Sequence, residues 1–208
     1  MDLKTILPAI GYIGIFLVIF AESGLLIGFF LPGDSLLFTA GFLASQGVFN
    51  VTILSILCFI AAVVGDSVGY TFGRRVGRKL FHKQDSLFFS KDNLQKAEAF
   101  YEKNGKKTIV LARFMPVIRT FAPIVAGIGD MHYTTFVAYN VIGGFIWSVG
   151  LTVAGYFLGK TIPNVDHYLL PIIGLIVIGS VAPSAYHILK DKKTRDHLIA
   201  SAKKTFKM

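Results

Sequence analysis

Three stretches of this chain, 51–73, 136–159 and 168–189, each run for 22 to 24 residues and carry between them one carboxylate, Asp66, and one histidine, His187. As helices rising 1.5 Å per residue, each is long enough to cross a hydrocarbon core of roughly 30 Å. A helix that is apolar all round needs an apolar solvent or complete burial. The rest of the sequence favours the solvent. Hydrophobic residues make up 53% of the 208 residues, charged residues 16%, and the mean hydropathy is +0.62. A soluble domain carries about a quarter charged residues. Phe (19) and Gly (21) supply the mix expected of closely packed membrane helices. This excludes a soluble enzyme and a disordered chain, and the single cysteine, Cys58, excludes a disulfide scaffold. The expected fold class is an all-α polytopic membrane protein forming a single membrane domain over 1–208.

Two further apolar regions, 6–44 and 108–129, do not read as simple spans. The first is interrupted at Leu31-Pro32-Gly33-Asp34-Ser35, where Pro stops a helix, Gly permits a reversal, and Asp34 or Ser35 is placed to cap the next helix. The second is interrupted by Pro116 and Pro123, with Arg113 and Arg119 flanking the first proline and Thr120 positioned to cap the second arm. Arms of 8–10 residues reach about 12–15 Å, half a membrane. Both regions are expected to be re-entrant hairpins, at 22–44 and 108–129, a conformation allowed at that depth only when buried in protein or lining a cavity. The start, Met1-Asp2-Leu3-Lys4, lacks the basic segment and cleavage site of a secretory signal, so the first apolar run is expected to be retained.

The one sizeable polar insertion, 74–107, contains Lys91–Asn104 with Leu94, Ala97 and Tyr101 at helical spacing and Gly105 as C-cap. It reads as an amphipathic connector on the cytoplasmic surface. Shifting the chain by 86 residues superposes its halves. Ala40-Gly41, Gly69-Tyr70 and Gly73 fall on Ala126-Gly127, Gly155-Tyr156 and Gly159; Val51, Ile56, Phe59, Ile60 and Val63 fall on Val137, Ile142, Phe145, Ile146 and Val149. The halves, about 22–73 and 108–159, are each a hairpin followed by a span, and a C-terminal helix 168–189 and basic tail complete the chain. Ten of the 21 Lys and Arg lie in 74–107 and seven in 190–207. Placing both clusters in the cytoplasm puts 45–50 and 160–167 outside, 130–135 and both termini inside, and inverts one half against the other. Inverted repeats with broken helices at the midplane are the architecture of secondary transporters. The +9 charge is accounted for by this orientation, not by nucleic acid.

Chemistry must then lie with the ionisable groups set in apolar sequence: Glu22, Asp34, Asp66, Arg113 and Arg119. Leaving the two hairpin acids and two arginines unpaired in lipid costs on the order of 10 kcal/mol, so pairing between hairpins is expected. One reading makes these pairs internal clamps. The other makes them a polar cavity in which Arg113 and Arg119 bind an anion through their planar forks while Glu22 and Asp34 exchange protons. Asp66 is a capping or local ion-pair residue on one reading and a supporting site residue on the other. Two arginines favour an anionic substrate over a cationic drug, leaving a proton-coupled ion or drug antiporter as the alternative. His82, His132, His167, His187 and His197 have no metal-ligand spacing, and Trp147 and Tyr156 read as packing or belt residues. Neither enzymatic activity, a metal nor a cofactor is expected.

The motifs Phe20-Ala21-Glu22-Ser23-Gly24, Leu31-Pro32-Gly33-Asp34, Gly65-Asp66-Ser67-Val68-Gly69-Tyr70-Thr71-Phe72-Gly73-Arg74 and Arg113-Phe114-Met115-Pro116-Val117-Ile118-Arg119, followed by Pro123, Ala126-Gly127, Met131, Asn140, Gly144 and Trp147, together resemble the DedA family, the bacterial branch of the SNARE-associated or VTT-domain membrane proteins. The resemblance covers about residues 10–190. It implies lipid transport linked to the proton-motive force across the bacterial plasma membrane, with undecaprenyl phosphate or a related lipid phosphate as cargo. It also implies that Glu22 and Asp34 are the essential membrane acids and Arg113 and Arg119 the essential arginines, with Pro32, Gly33, Pro116 and Pro123 shaping the hairpins.

Overall fold

Helices form wherever the sequence is free of breakers, and the Pro, Gly and Asn punctuation sets their ends. The computed structural model of the chain describes residues 3–25, 31–76 and 91–161, and every regular element among them is helical. They are α1 (Leu3–Gly24), α2 (Gly33–Ser45), α3 (Val51–Val76), α4 (Lys91–Asn104), α5 (Thr108–Ala112), α6 (Pro116–Ile128), α7 (Tyr133–Gly144) and α8 (Gly150–Thr161). A five-residue π-helical turn, Phe145–Val149, joins α7 to α8 without a break. The expected helix 168–189, the basic tail and residues 77–90 of the connector lie outside the described residues.

Among the described residues, two helices are long and apolar enough to cross a membrane: α3, with 26 residues, and the continuous α7–α8, with 29. Asn50 starts α3 by accepting from the backbone N–H groups of Thr52 (3.0 Å) and Ile53 (3.1 Å), as an N-cap does. Ile53, Ile56, Ile60, Val64 and Val68 then form an exposed stripe along α3, matched by Ile142, Phe145 and Ile146 on the other long helix. A patch of that extent suits lipid, not water. On the opposite faces, Ile15 and Ile19 of α1, Leu37, Ala40 and Ala44 of α2, and Leu54, Cys58, Ala61 and Ala62 of α3 build a core closed by Trp147. A second core gathers Tyr70, Ile109, Ala126 and Phe136.

Small residues bring the backbones together. Gly41 of α2 lies against the Thr152 carbonyl of α8, and Gly155 of α8 against the Phe38 carbonyl of α2. Likewise Gly127 of α6 faces the Tyr70 carbonyl of α3, and Gly73 of α3 the Ile124 carbonyl of α6. A Cβ at any of the four would run into backbone. Helix α4 covers the other side of α6, where the Tyr101 hydroxyl donates to the Ala122 carbonyl at 2.9 Å. Gly105, at φ +58°, turns the chain from α4 into a short 3-10 turn.

Three local expectations are corrected. Helix α1 continues past 22, where the first hairpin was expected to begin, through Glu22 to Gly24, since Ala21, Glu22 and Ser23 all sit comfortably in a helix. Helix α2 begins at Gly33 after Pro32, so Asp34 and Ser35 sit inside its first turn instead of capping it. Helix α6 begins at Pro116, not near Thr120. Proline is tolerated at the first helical position, where no N–H is required, and it pushes the preceding Met115 into an extended conformation (φ −124°, ψ 103°). Pro123 therefore lies inside α6 and leaves the Arg119 carbonyl without its usual helical N–H donor.

Candidate functional site

Where α1 ends and α2 begins, two chain breaks and a glycine place a carboxylate against a helix N-terminus. Gly33 N–H donates to Glu22 Oε1 at 3.1 Å, so the acid on α1 supplies the cap that α2 lacks from its own side chains. The site requires glycine at 33, because a Cβ there would occupy the space of the Glu22 carboxylate. Arg119, on the second turn of α6, then reaches both acids. Its Nη2 pairs with Glu22 Oε1, and its Nη1 bonds Asp34 Oδ1 at 2.9 Å. Glu22 is fully buried, the Arg119 side chain is 11% exposed and that of Asp34 is 48% exposed, so the cluster is sealed at one end and open at the other. Glu22 Oε2 is buried with no hydrogen-bond partner among the described residues.

Arg113 lies elsewhere. Met115 and the turn before α6 separate it from Arg119, and it points between α3 and α7. Its Nη2 bonds Asp66 Oδ2 (2.7 Å) and Asn140 Oδ1 (2.5 Å) and approaches the Ala62 carbonyl (3.4 Å). Asn140 in turn donates to the Val63 carbonyl at 2.9 Å. Gly143 and Gly144 leave room for the guanidinium stem, since a Cβ on Gly143 would lie 3.2 Å from Arg113 Cδ. Both Arg113 and Asp66 are almost completely buried.

Trp147 stands between the two clusters. Its indole N–H donates to Asp34 Oδ1 at 2.6 Å, and its ring lies 5.4 Å from the Arg119 guanidinium carbon and 5.7 Å from that of Arg113. Arg119 thus pairs with Glu22 and Asp34, while Arg113 pairs with Asp66. Of the two readings left open for Asp66, the local cap or ion pair is not what forms: it pairs with Arg113, 47 positions along the chain. Pro32 and Gly33 set the start of α2 beside Glu22, and Pro116 sets the start of α6 that carries Arg119. Pro123 packs where Gly69 of α3 passes, 3.4 Å from the position of a Cβ on that glycine. Sequence reasoning missed Trp147 as a site residue. Its signals were its place among the marks of the family resemblance and an indole set in a span that also carries Asn140, Gly143 and Gly144 without any charge.

The VTT domain matches residues 31–157, from just before α2 to within α8. The chain is 51% identical to Protein DedA of Escherichia coli over 185 residues, covering 88% of this chain and 84% of that protein. It is 46% identical over 167 residues to an uncharacterized membrane protein of Mycobacterium leprae, covering 80% and 74% of the two chains. It is 33% identical over 150 residues to the inner membrane protein YqjA of Escherichia coli, covering 72% and 68%. No solved structure matches the chain. A VTT domain spanning most of the described residues, and relatives similar over most of their length, make this chain a membrane protein of the DedA family.

Proposed function

We propose that the protein is a transporter, not an enzyme, that moves undecaprenyl phosphate or a related lipid phosphate between the leaflets of the bacterial plasma membrane, coupled to protons. The observation that carries this reading is the double hold on Glu22. A helix N-terminus and a guanidinium are each anion-binding devices, and here the α2 N-terminus and one nitrogen of Arg119 both close on the Glu22 carboxylate, while the other nitrogen holds Asp34. Glu22 thus fills a ready-made anion site. A proton on Glu22 removes the charge that holds Arg119 and weakens the acceptor for Gly33 N–H. The guanidinium and the α2 N-terminus are then available to a phosphate arriving past the exposed Asp34. Loss of the proton returns the carboxylate and displaces the phosphate. Proton and substrate are coupled because they act on the same two donors. Arg113 holds α3 and α7 to the turn before α6 through Asp66 and Asn140. The apolar lipid tail stays in the bilayer, so only the head, which is costly to desolvate, needs a polar path.

Several features support a re-entrant, inverted-repeat arrangement. Helices α2 and α6 have 13 residues each, about 20 Å, short of a roughly 30 Å core. The short helix of each half packs on the long helix of the other, through the glycine contacts α2–α8 and α6–α3. Phe59 and Phe145, equivalent under the 86-residue shift, touch each other with ring centroids 6.1 Å apart, as residues near a two-fold axis do. In this reading the termini are cytoplasmic. In a Cys58→Ser background, an impermeant thiol reagent applied to whole cells labels a cysteine at Gln46 and not one at Thr134. Labelling at 134 from outside would make 108–129 a full span.

The activity is tested with purified protein in liposomes, by measuring leaflet exchange of a polyprenyl phosphate and a phospholipid phosphate. Exchange accelerates as the pH falls on the loading side, because protonated Glu22 is the competent form. Glu22→Gln, a permanently uncharged side chain, flattens that dependence. Exchange equal to protein-free liposomes for every lipid phosphate and pH rejects the proposal. Proton-coupled flux of a soluble ion or drug would establish the antiporter instead.

A further inference from the structure

We infer that Trp147 is the positioning residue of this site, which holds Asp34 and Arg119 in register and sets the partition between the two arginine clusters. The inference rests on the reading of Arg119 as the phosphate ligand. Three observations converge on it. First, the indole N–H and Arg119 Nη1 donate to the same oxygen, Asp34 Oδ1, so the half-exposed carboxylate is fixed from two sides. Second, both guanidinium groups lie within 6 Å of one indole ring, the range in which the ring face attracts a cation. One ring thus stands within cation–π range of two like charges.

Third, the backbone is built for this placement. Trp147 is the middle residue of the π-helical turn Phe145–Val149. Such a turn inserts one residue into an α-helix, rotating the side chains beyond it by about 100° relative to an uninterrupted helix. π-turns are rare and concentrate at functional positions. Hydroxyls support the irregular carbonyls at either end: Ser148 donates to the Gly144 carbonyl (2.7 Å) and Thr152 to the Ser148 carbonyl (2.8 Å). A residue that only filled the core would need neither the turn nor the hydrogen bond to Asp34. When phosphate draws Arg119 off Asp34, the indole N–H remains as a partner for that carboxylate, so the acid is not left unpaired at the moment of exchange.

Trp147 is the only tryptophan in the chain, so intrinsic fluorescence reads the site alone. Excitation moves electron density from the pyrrole to the benzo ring, so a negative charge beside the indole nitrogen shifts emission to longer wavelength. The experiment uses the full chain in detergent and in liposomes. Asp34→Asn shifts the emission to shorter wavelength. Lysophosphatidic acid, a single-chain phosphate monoester, changes the wild-type spectrum, and lysophosphatidylcholine does not. Trp147→Phe keeps a ring and the fold, as melting verifies, but loses the hydrogen bond to a charged acceptor, and lipid-phosphate exchange falls on the order of tenfold. Trp147→Leu falls further, and the Phe variant decides the matter if the Leu variant does not fold. Unchanged emission in Asp34→Asn, or exchange by Trp147→Phe within twofold of wild type, overturns the inference. The expected spectral responses without any lipid exchange uphold the placement of Trp147 and count against transport alone.

Discussion

Arg119 and Arg113 stand six positions apart in one stretch of chain and meet the same kinds of partner, yet their surroundings differ. Arg113 is sealed, its Nη2 shared among a carboxylate, an amide and a carbonyl from α3 and α7. Arg119 holds one buried acid and one that is half exposed, and the buried acid is itself held by a helix N-terminus. The Arg113–Asp66 pair, both members almost wholly buried, braces α3 and α7 against the turn before α6, with Arg113 Nε left as a buried donor that has no hydrogen-bond partner among the described residues. The Arg119 pair has a half-exposed member, and on the proposed function it is the pair that opens. The difference teaches that, on the proposed function, residue type alone does not assign a role to an arginine set in apolar sequence; the exposure of its partner does.

The largest effect that tests this contrast is on stability. Removing one partner of a buried ion pair costs about 3–5 kcal/mol, because the other charge stays buried and alone. Arg113→Met is therefore expected to lower the melting temperature sharply, and Asp66→Asn in the same chain to restore much of it; a melt like wild type for Arg113→Met would break the comparison. Next is Arg119→Lys, which keeps the charge and loses the fork. Melting should move by less than about 1 kcal/mol while lipid-phosphate exchange in liposomes falls about ten- to a hundredfold, the loss of charge-assisted hydrogen bonds. Gly33→Ala forces a methyl group into the Glu22 carboxylate and is expected to cost about 1–3 kcal/mol as an overpacked site. It also makes exchange insensitive to pH, measured as a flat rate profile. The smallest effect is at Arg74, whose 3.8 Å pair with Asp130 lies largely in the open. Arg74→Ala is expected within about 0.5 kcal/mol of wild type in the melt.

The long helices are legible in the sequence because a span leaves a signal over twenty residues: α3 and α7–α8 coincide with the apolar runs 51–73 and 136–159. The connector helix Lys91–Asn104 is legible to the residue, since its polar face and Gly105 bound it. The ends of the short helices are not, because Pro32 and Pro116 fit the first helical turn as well as the turn before it, and only tertiary packing decides. The charged residues stand out because each is alone in apolar sequence. Their partition into two clusters is not legible, because no spacing rule pairs Asp66 with a side chain 47 residues away. Trp147 escapes for a physical reason as well: its direction depends on a π-turn, and the all-helical periodicity of 133–161 contains no mark of the inserted residue.

The division between a working arginine and a bracing one is tested most directly by measuring Arg113→Lys and Arg119→Lys side by side. Each is reconstituted into the same liposomes, with melting and lipid-phosphate exchange per folded molecule recorded together. Arg119→Lys is expected to melt like wild type and to lose exchange by about tenfold or more. Arg113→Lys is expected to melt lower, with exchange per folded molecule within about threefold of wild type. A well-folded Arg113→Lys without exchange, or an Arg119→Lys that loses stability and exchange in step, would contradict this division.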